Sequence, residues 1–480
     1  MVFGLSRLTP RRVIIFTSAS LLFWILVFSL TPITSPLPPY TGPYEVGILD
    51  LETEVQKRVI HQAILKETRE KAFELETLAV TLYYPSSLPL SSPRSRPWAR
   101  PWLPQPISLI GTGYARLAGI SFKPIQSLFT FGLWALGSGT VIPGVVDAPI
   151  LTGSEKVTDD SSGAGKPRDA PQEHQELKRD EKPSTLPCVV FTHGMAGMSQ
   201  SYSHYLGSIA SHGYVVAAVE HRDGSGPGTI VHQSDGKEKK VWHMKLRDLE
   251  SKPAMTDLDL KEAQLNFREA EISETIKLFA QLNAGDAPIV NLKPDSPRES
   301  LPGFKGRLNL DAVTVAGHSY GATGVMQALK SAGTKDMPII AGIALDPGKG
   351  SGPLNKDIDV PVLVMQSGEW TEKQVDFYGQ GKHFDVVKKI VSSVKQGWFM
   401  TLCKFPLDCG YIHVLIPISW LCSPVVHRRA AHSTRNHEDG YWYHSGVKNS
   451  SPRVHQHLRT LLGVSAIRRK EGRLVEWCHK

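Results

Sequence analysis

Cysteine is scarce in this chain and unevenly placed. The 480 residues contain five, of which Cys403, Cys409, Cys422 and Cys478 lie in the last part of the chain and only Cys188 lies upstream. They form no metal-type pair, so a cysteine-ligated metal is not expected. No phosphate-cradling glycine loop is present, which removes the common nucleotide-binding signatures. No internal repeat is apparent, which removes the stacked-repeat architectures. Charge is missing from Val13–Leu30, and large apolar residues are almost missing from Glu155–Thr185. The second stretch buries too little apolar surface to offset the entropy of ordering it, and reads as a disordered excursion.

What is present is ample for a large core: 52.9 kDa, 41% apolar residues, and 34 prolines with 41 glycines that point to many loops. The formal charge of +8 invites a nucleic-acid or anionic-membrane reading. That excess is local, because Cys403–Lys480 carries twelve Lys/Arg against five Asp/Glu and so leaves only about +1 for residues 1–402. No motif supports a nucleic-acid patch in the tail. At the other end Arg7, Arg11 and Arg12 precede the eighteen uncharged residues Val13–Leu30, which reach the lower end of a bilayer span. The basic flank would remain cytoplasmic and the rest lumenal or extracellular. No small-x-small cleavage site follows, so an uncleaved signal anchor is favoured over a signal peptide.

Pro32–Pro43 reads as a stiff linker. Glu52–Glu76 alternates charged and apolar residues at helical spacing and predicts a helix, which leads into a strand over Leu78–Pro85. Residues 86–105, rich in Ser, Pro and Arg, read as a surface loop. After the excursion, strands alternate with helices: Cys188–Phe191, Tyr214–Val219, a helix over Glu262–Leu282, then Ala312–Ala316, Ile339–Leu345 and Val360–Met365. Such continuously apolar runs suit a mostly parallel sheet covered by helices on both faces.

The sharpest motif is Gly317-His318-Ser319-Tyr320-Gly321, a G-x-S-x-G between a buried strand and a helix over Ala322–Lys330. The tight turn needs small neighbours and lifts the serine hydroxyl clear of the sheet, as in the α/β-hydrolase fold. A glycine-rich turn alone is a weak signal; the strand–turn–helix setting makes Ser319 the candidate nucleophile. A serine hydroxyl needs a base and a group that orients the base. Asp346, at the carboxyl end of the next strand, is the candidate acid. The oxyanion donors are expected to be the backbone N–H groups of Tyr320 and of Met195, in the loop His193-Gly194-Met195 after an early strand. His193 itself reads as structural.

Leu186–Met195, Ala210–Asp223 with its Val219-Glu220-His221-Arg222-Asp223, Gly317–Ala322 and Gly342–Asp346 together resemble the platelet-activating factor acetylhydrolases, of the lipoprotein-associated phospholipase type, in a membrane-anchored, fungal-like form. The resemblance covers roughly residues 45–402. It implies calcium-independent hydrolysis of the sn-2 acetyl or short acyl group of ether or oxidised phospholipids, with Ser319 as nucleophile, Asp346 as acid, Met195 and Tyr320 as oxyanion residues, and no metal or other cofactor. A phospholipid substrate and a membrane are the implied partners, and no nucleic acid.

One element of the pattern is missing. The family places its histidine shortly after a strand like Trp398–Leu402, in a segment like Gly-Ser-Val-His-Pro-Ser, whereas this chain continues Cys403-Lys404-Phe405-Pro406. Cys403–Phe405 can be encoded as tGTAAGTtc, which contains an intron donor, and Ser419 can supply an acceptor. Removing that interval shifts the frame, so that Trp420 gives Gly and Leu421–His432 give Ser-Val-His-Pro-Ser-Ser-Thr-Asp-Ala-Pro-Leu-Ile. A retained intron and a frameshift therefore account for the composition break at residue 403, and the catalytic histidine is not identifiable in the written frame. The competing reading is a genuine extension in which His413, His427 or His432 serves as base.

The expected organisation is a basic cytoplasmic segment 1–12, an anchor 13–32, a linker 33–44, a hydrolase domain 45–402 interrupted at 155–185, and an out-of-frame tail 403–480. The expected activity is that of a 1-alkyl-2-acetylglycerophosphocholine esterase. The alternatives are a general carboxylesterase on the same scaffold and a catalytically silent membrane protein.

Overall fold

The computed structural model describes residues 10–30, 37–89, 99–152, 185–285, 298–367, 375–401, 441–444 and 475–476, together with Lys293 and Trp370. In chain order the elements are α1 (Pro10–Leu30), β1 (Glu45–Leu65), β2 (Lys71–Ser86), β3 (Ala99–Pro101), α2 (Ile107–Leu117), α3 (Lys123–Gly137), β4 (Val141–Val146) and β5 (Leu186–Thr192). There follow α4 (Ser203–Ala210), β6 (Val215–Val219), β7 (Gly228–His232), β8 (Glu238–Trp242), β9 (Leu249–Glu250), α5 (Asp257–Ala284), β10 (Leu308–His318) and α6 (Tyr320–Ala328). The last are β11 (Ile339–Leu345), β12 (Val362–Gln366), α7 (His383–Ser393), β13 (Gly397–Thr401), β14 (Tyr441–His444) and β15 (Val475–Glu476).

Six strands, in the order β6-β5-β10-β11-β12-β13, run parallel through the middle of one large sheet. β2 pairs antiparallel with β6 and carries the β1 hairpin partner beyond it. This order, with strand succession leaving in one direction from β5 and in the other from β10, is that of an α/β-hydrolase-like sheet. The change of direction opens a crevice at the carboxyl ends of β5 and β10, where ligands of open parallel sheets bind. Alternate residues build the two faces. Cys188 and Val190 of β5 pack with Ile272 and Phe279 of α5 and Val325 of α6. Val189 and Phe191 pack on the other face with Leu206 and Ile209 of α4. Both faces being covered explains why these strands read as unbroken apolar runs.

The helix expected over 52–76 is not there; that stretch is most of the β1–β2 hairpin. Its charges misled because Glu52 is not solvated: its carboxylate accepts from Arg222 Nη2 at 2.8 Å, the His232 N–H at 3.0 Å and Thr77 Oγ1 at 2.8 Å. The register slips between Glu54 and Arg58, between Val59 and His61 and between His61 and Ile64, which breaks the period of two that marks a strand. β-branched Val55, Val59, Ile60 and Ile64 were the available signal. The long helix α5 begins five residues before the expected Glu262, at a capping box in which Thr256 Oγ1 accepts the Asp259 N–H and Asp259 Oδ2 accepts the Thr256 N–H.

The amino-terminal run does form a helix, α1. Its side chains are described for residues 15–26, about 18 Å of helix against a hydrocarbon layer of about 30 Å. Among the described residues no helix is long and apolar enough to cross a membrane, so the spanning helix expected at 13–32 is not shown. The excursion expected at 155–185 lies outside the described residues apart from Thr185. So does the tail from Cys403, His413, His427 and His432 included, apart from β14 and β15, which continue the sheet antiparallel beyond β13.

Candidate active site

Ser319 sits between β10 and α6 with φ 54° and ψ −115°, a backbone conformation that costs a non-glycine residue of order 1–3 kcal/mol and persists only where its surroundings fix it. They do so here. The Ser319 N–H donates to the Leu345 carbonyl at 2.9 Å, and its own carbonyl accepts from Thr323 N–H and Gly348 N–H at 3.2 Å each. The flanking glycines are required by close approach. A Cβ on Gly321 would lie 2.1 Å from the Thr192 carbonyl oxygen, and one on Gly317 would lie 2.6 Å from the Gly321 backbone. The turn thus packs directly against the end of β5.

The loop expected to supply an oxyanion donor, His193-Gly194-Met195, follows that same strand end. A Cβ on Gly194 would stand 3.2 Å from Ser319 Cβ, so His193-Gly194-Met195 lies against Ser319. The Gly194 N–H donates to Tyr202 Oη at 3.2 Å, and Tyr202 Oη is 2.8 Å from His318 Nδ1, which ties the loop to the residue before Ser319. Met195 is 42% exposed, while Tyr320 is fully buried as the first residue of α6, where helical N–H groups have no partner in the helix.

Asp346 follows β11 with φ 48°; its N–H donates to the Met365 carbonyl at 2.7 Å and its Oδ1 accepts the Ser367 N–H at 2.6 Å. Because β11 neighbours β10 and the Leu345 carbonyl holds the Ser319 N–H, the structure brings Ser319, Asp346, Tyr320 and the Met195 loop to one end of the sheet. Among the described residues no histidine hydrogen-bonds Ser319, and no group of three or more His, Cys, Asp or Glu residues could hold a metal ion.

A sequence profile of the family described as platelet-activating factor acetylhydrolase, isoform II, matches residues 161–402, half of the chain. The chain belongs to that family. The match ends where the composition breaks. Among individual acetylhydrolases of this family, that of Canis lupus familiaris is 34% identical over 174 residues, 35% of this chain and 36% of the relative. That of Bos taurus is 34% identical over the same span and shares. These alignments span about a third of the length of the curated relatives. Among solved structures, a ferulic acid esterase from Streptomyces cinnamoneus aligns over 76% of each chain at 17% identity with a TM-score of 0.42.

The segment Val219–Asp223, the most diagnostic part of the family resemblance, has a structural explanation in its contacts. Glu220 accepts from the Ser199 N–H and Oγ at 2.8 and 2.9 Å. His221 Nδ1 lies 2.5 Å from Glu271 Oε2, with both side chains wholly buried. Arg222 donates to Glu52 and to the Ile230 carbonyl, and Asp223 accepts from Arg268. Burial drives the His221 imidazole well below its usual pKa and the Glu271 carboxyl well above its own. His193 is structural in the same sense: it is buried, its Nδ1 lies 2.9 Å from the Gly194 carbonyl, and its Nε2 accepts the His221 N–H.

Sequence reasoning passed over His383, which is wholly buried at the start of α7, 3.4 Å from Gln366 Nε2 through its Nδ1 and edge-on to Phe377. Burial, aided by the Lys349 charge and opposed by the Pro347 carbonyl, pushes its pKa to about 4. An imidazole of that basicity is a poor base near neutral pH. Its only sequence signal was proximity to the strand after Asp346.

Proposed function

We propose that the domain of residues 45–402, completed by the histidine of the shifted frame, is a serine esterase that hydrolyses the sn-2 acetyl or short acyl ester of phospholipids through an acyl-enzyme. The observation that carries the reading is the positive-φ Ser319 on a turn wedged against the Gly194–Met195 loop and beside Asp346. Ser319 Oγ attacks the ester carbonyl as a histidine base takes its proton. The carbonyl oxygen becomes an oxyanion held by the Met195 and Tyr320 N–H groups. The histidine then protonates the departing lysophospholipid alkoxide, and water, deprotonated by the same histidine, releases the acid and restores Ser319. Asp346 orients the imidazole. That histidine is the one encoded in the shifted frame of Trp420–His432, which follows β13 as the family pattern requires.

The lipid reading draws on α3 as well as on the family. Phe122 just before it is 65% exposed, and Ile125 and Leu128 within it are also exposed. Phe129 and Leu133 of the same helix pack against Ile110, Tyr114 and Met198, the cluster that Ala196, next to Met195, also packs against. An apolar helix face at the rim of the site suits an enzyme that takes its substrate from a bilayer. We place the catalytic domain on the lumenal or extracellular side, attached through residues 13–30 behind Arg11 and Arg12. Two cavities, of about 760 and 470 Å³, lie away from Ser319, so neither describes the acyl pocket.

Fluorophosphonate labelling tests the nucleophile: label on Ser319 supports the esterase, and its absence from both reading frames supports a silent scaffold. Rates for acetyl, butyryl and palmitoyl phosphatidylcholines separate a short-acyl phospholipase from a general carboxylesterase. Indifference to the phospholipid head, with equal rates on simple esters, would favour the latter.

A further inference from the structure

The two segments read as oxyanion donors come from different strands, β5 and β10, and something must fix their separation. One buried cation touches both. The Arg268 guanidinium on α5 is inaccessible to solvent, and each of its nitrogens donates: Nε to Asp223 Oδ2 at 2.7 Å, Nη1 to the His193 carbonyl at 2.6 Å, and Nη2 to Ser225 Oγ at 2.6 Å. Its carbon lies 4.6 Å over the centre of the Tyr320 ring. Gln264, one turn earlier, accepts the Tyr320 hydroxyl at 2.8 Å and donates to the Asp223 carbonyl at 3.0 Å. Glu271, a turn later, holds His221 and the Arg222 N–H. Spacings of four and three place these side chains on one face of α5. That face grips the loop after β5, the loop after β6 and the first residue of α6 together.

A fully buried ion pair adds little net stability over apolar residues of the same volume. Here the guanidinium does something an apolar residue cannot, because its planar fork fixes a backbone carbonyl two residues before Met195 while its face holds the ring of Tyr320. We infer that Arg268 is a positioning residue of the esterase, setting the distance between the Met195 and Tyr320 N–H groups. The inference rests on the reading of Ser319 as nucleophile, and acts through geometry rather than by contact with substrate.

The test is Arg268→Lys in the full chain, with two readouts. The first is hydrogen exchange of the Gly194 and Ala196 amides, the latter bonded to the Ser225 carbonyl at 2.8 Å. We expect exchange there to rise at least tenfold, with the amides of β10 and β11 unchanged. The second is 4-nitrophenyl acetate hydrolysis per titrated serine in the frame that supplies the histidine. We expect kcat to fall about a hundredfold, the scale of a 1 Å misplacement, with KM within about twofold. Uniformly faster exchange throughout the sheet, or an unchanged kcat, would overturn the inference. If the parent hydrolyses no ester, the esterase reading fails, and the exchange pattern alone decides the positioning role. Should Arg268→Lys not fold, Ser225→Ala, which removes one acceptor, takes its place: an expected several-fold loss of kcat with faster Ala196 exchange supports the inference, and no change in either refutes it.

Discussion

Two glycines in one short helix should respond oppositely to the same methyl group. In Gly321→Ala the new Cβ would lie 2.1 Å from the Thr192 carbonyl oxygen, 2.6 Å from its carbon and 2.7 Å from its Oγ1, all but the last being backbone. Ordinary contact begins near 3.4 Å, so β5 and the start of α6 would have to separate by about 1 Å. That movement also breaks the 2.8 Å bond from Thr192 Oγ1 to the Gly321 carbonyl, which is buried. Overpacking typically costs about 1–3 kcal/mol and a lost buried hydrogen bond about 1 more, giving an expected loss of about 2–4 kcal/mol. Against a usual total of 5–15 kcal/mol this is severe. In Gly324→Ala, three residues on, the nearest atom is Arg268 Cδ at 3.5 Å, which is ordinary contact, and the backbone is helical. Alanine there should stabilise the chain by about 0.5–1 kcal/mol through helix propensity. Urea unfolding followed by tryptophan fluorescence measures both, independently of catalysis. Equal stability of the two variants would refute the close approach of β5 to the Ser319 turn.

In the frame that supplies the histidine, Ser319→Ala should abolish ester hydrolysis without loss of folded protein, and Asp346→Asn should reduce kcat by about three to four orders of magnitude, as neutralising a triad aspartate does; a near-normal rate for either moves that role to another residue. His318 is held to a pKa of about 4 by burial, against an ordinary 6.5. Above pH 6.5 it is neutral folded or unfolded; between about 6.5 and 4 only the unfolded chain takes the proton, so stability falls by up to about 3 kcal/mol and then levels off. His318→Gln should flatten that slope by one proton in unfolding titrations, and an unaltered slope would show that the imidazole is not buried neutral. The chain as written should be nearly inactive and the spliced, shifted frame active, with its histidine between Ser319 and Asp346; family-like hydrolysis of short acyl phospholipids by the written chain sinks the frameshift. Deleting residues 1–32 should release the protein from membranes, with activity intact in the shifted frame, and retention through high salt and carbonate would point to the α3 face as a second attachment.

The parallel strands and α5 were legible because burial on both faces and a capped helix leave continuous or periodic apolar patterns. The Ser319 turn was legible because the close approach of Thr192 and of the turn's own backbone demands glycine at 317 and 321, which leaves a fixed G-x-S-x-G pattern in the chain. The β1–β2 hairpin was not, because its register slips three times and its most telling charge, Glu52, answers Arg222 and His232 far along the chain. The α2–α3 pair and the β7–β8 ribbon also escaped notice, being short elements stabilised by what they pack against.

By itself, then, the amino-acid sequence determined the sheet's apolar strands, the serine on its tight turn, the family through Val219–Asp223, and the break after residue 402. It did so because backbone sterics and two-sided burial act on neighbours in the chain. The tertiary structure decided which loops meet: that the Leu345 carbonyl holds Ser319, that Gly194 abuts it, and that Arg268 joins the ends of β5 and β10. Those contacts link residues from 26 to 125 positions apart, and a partner at such a distance is set by packing, which no local pattern encodes.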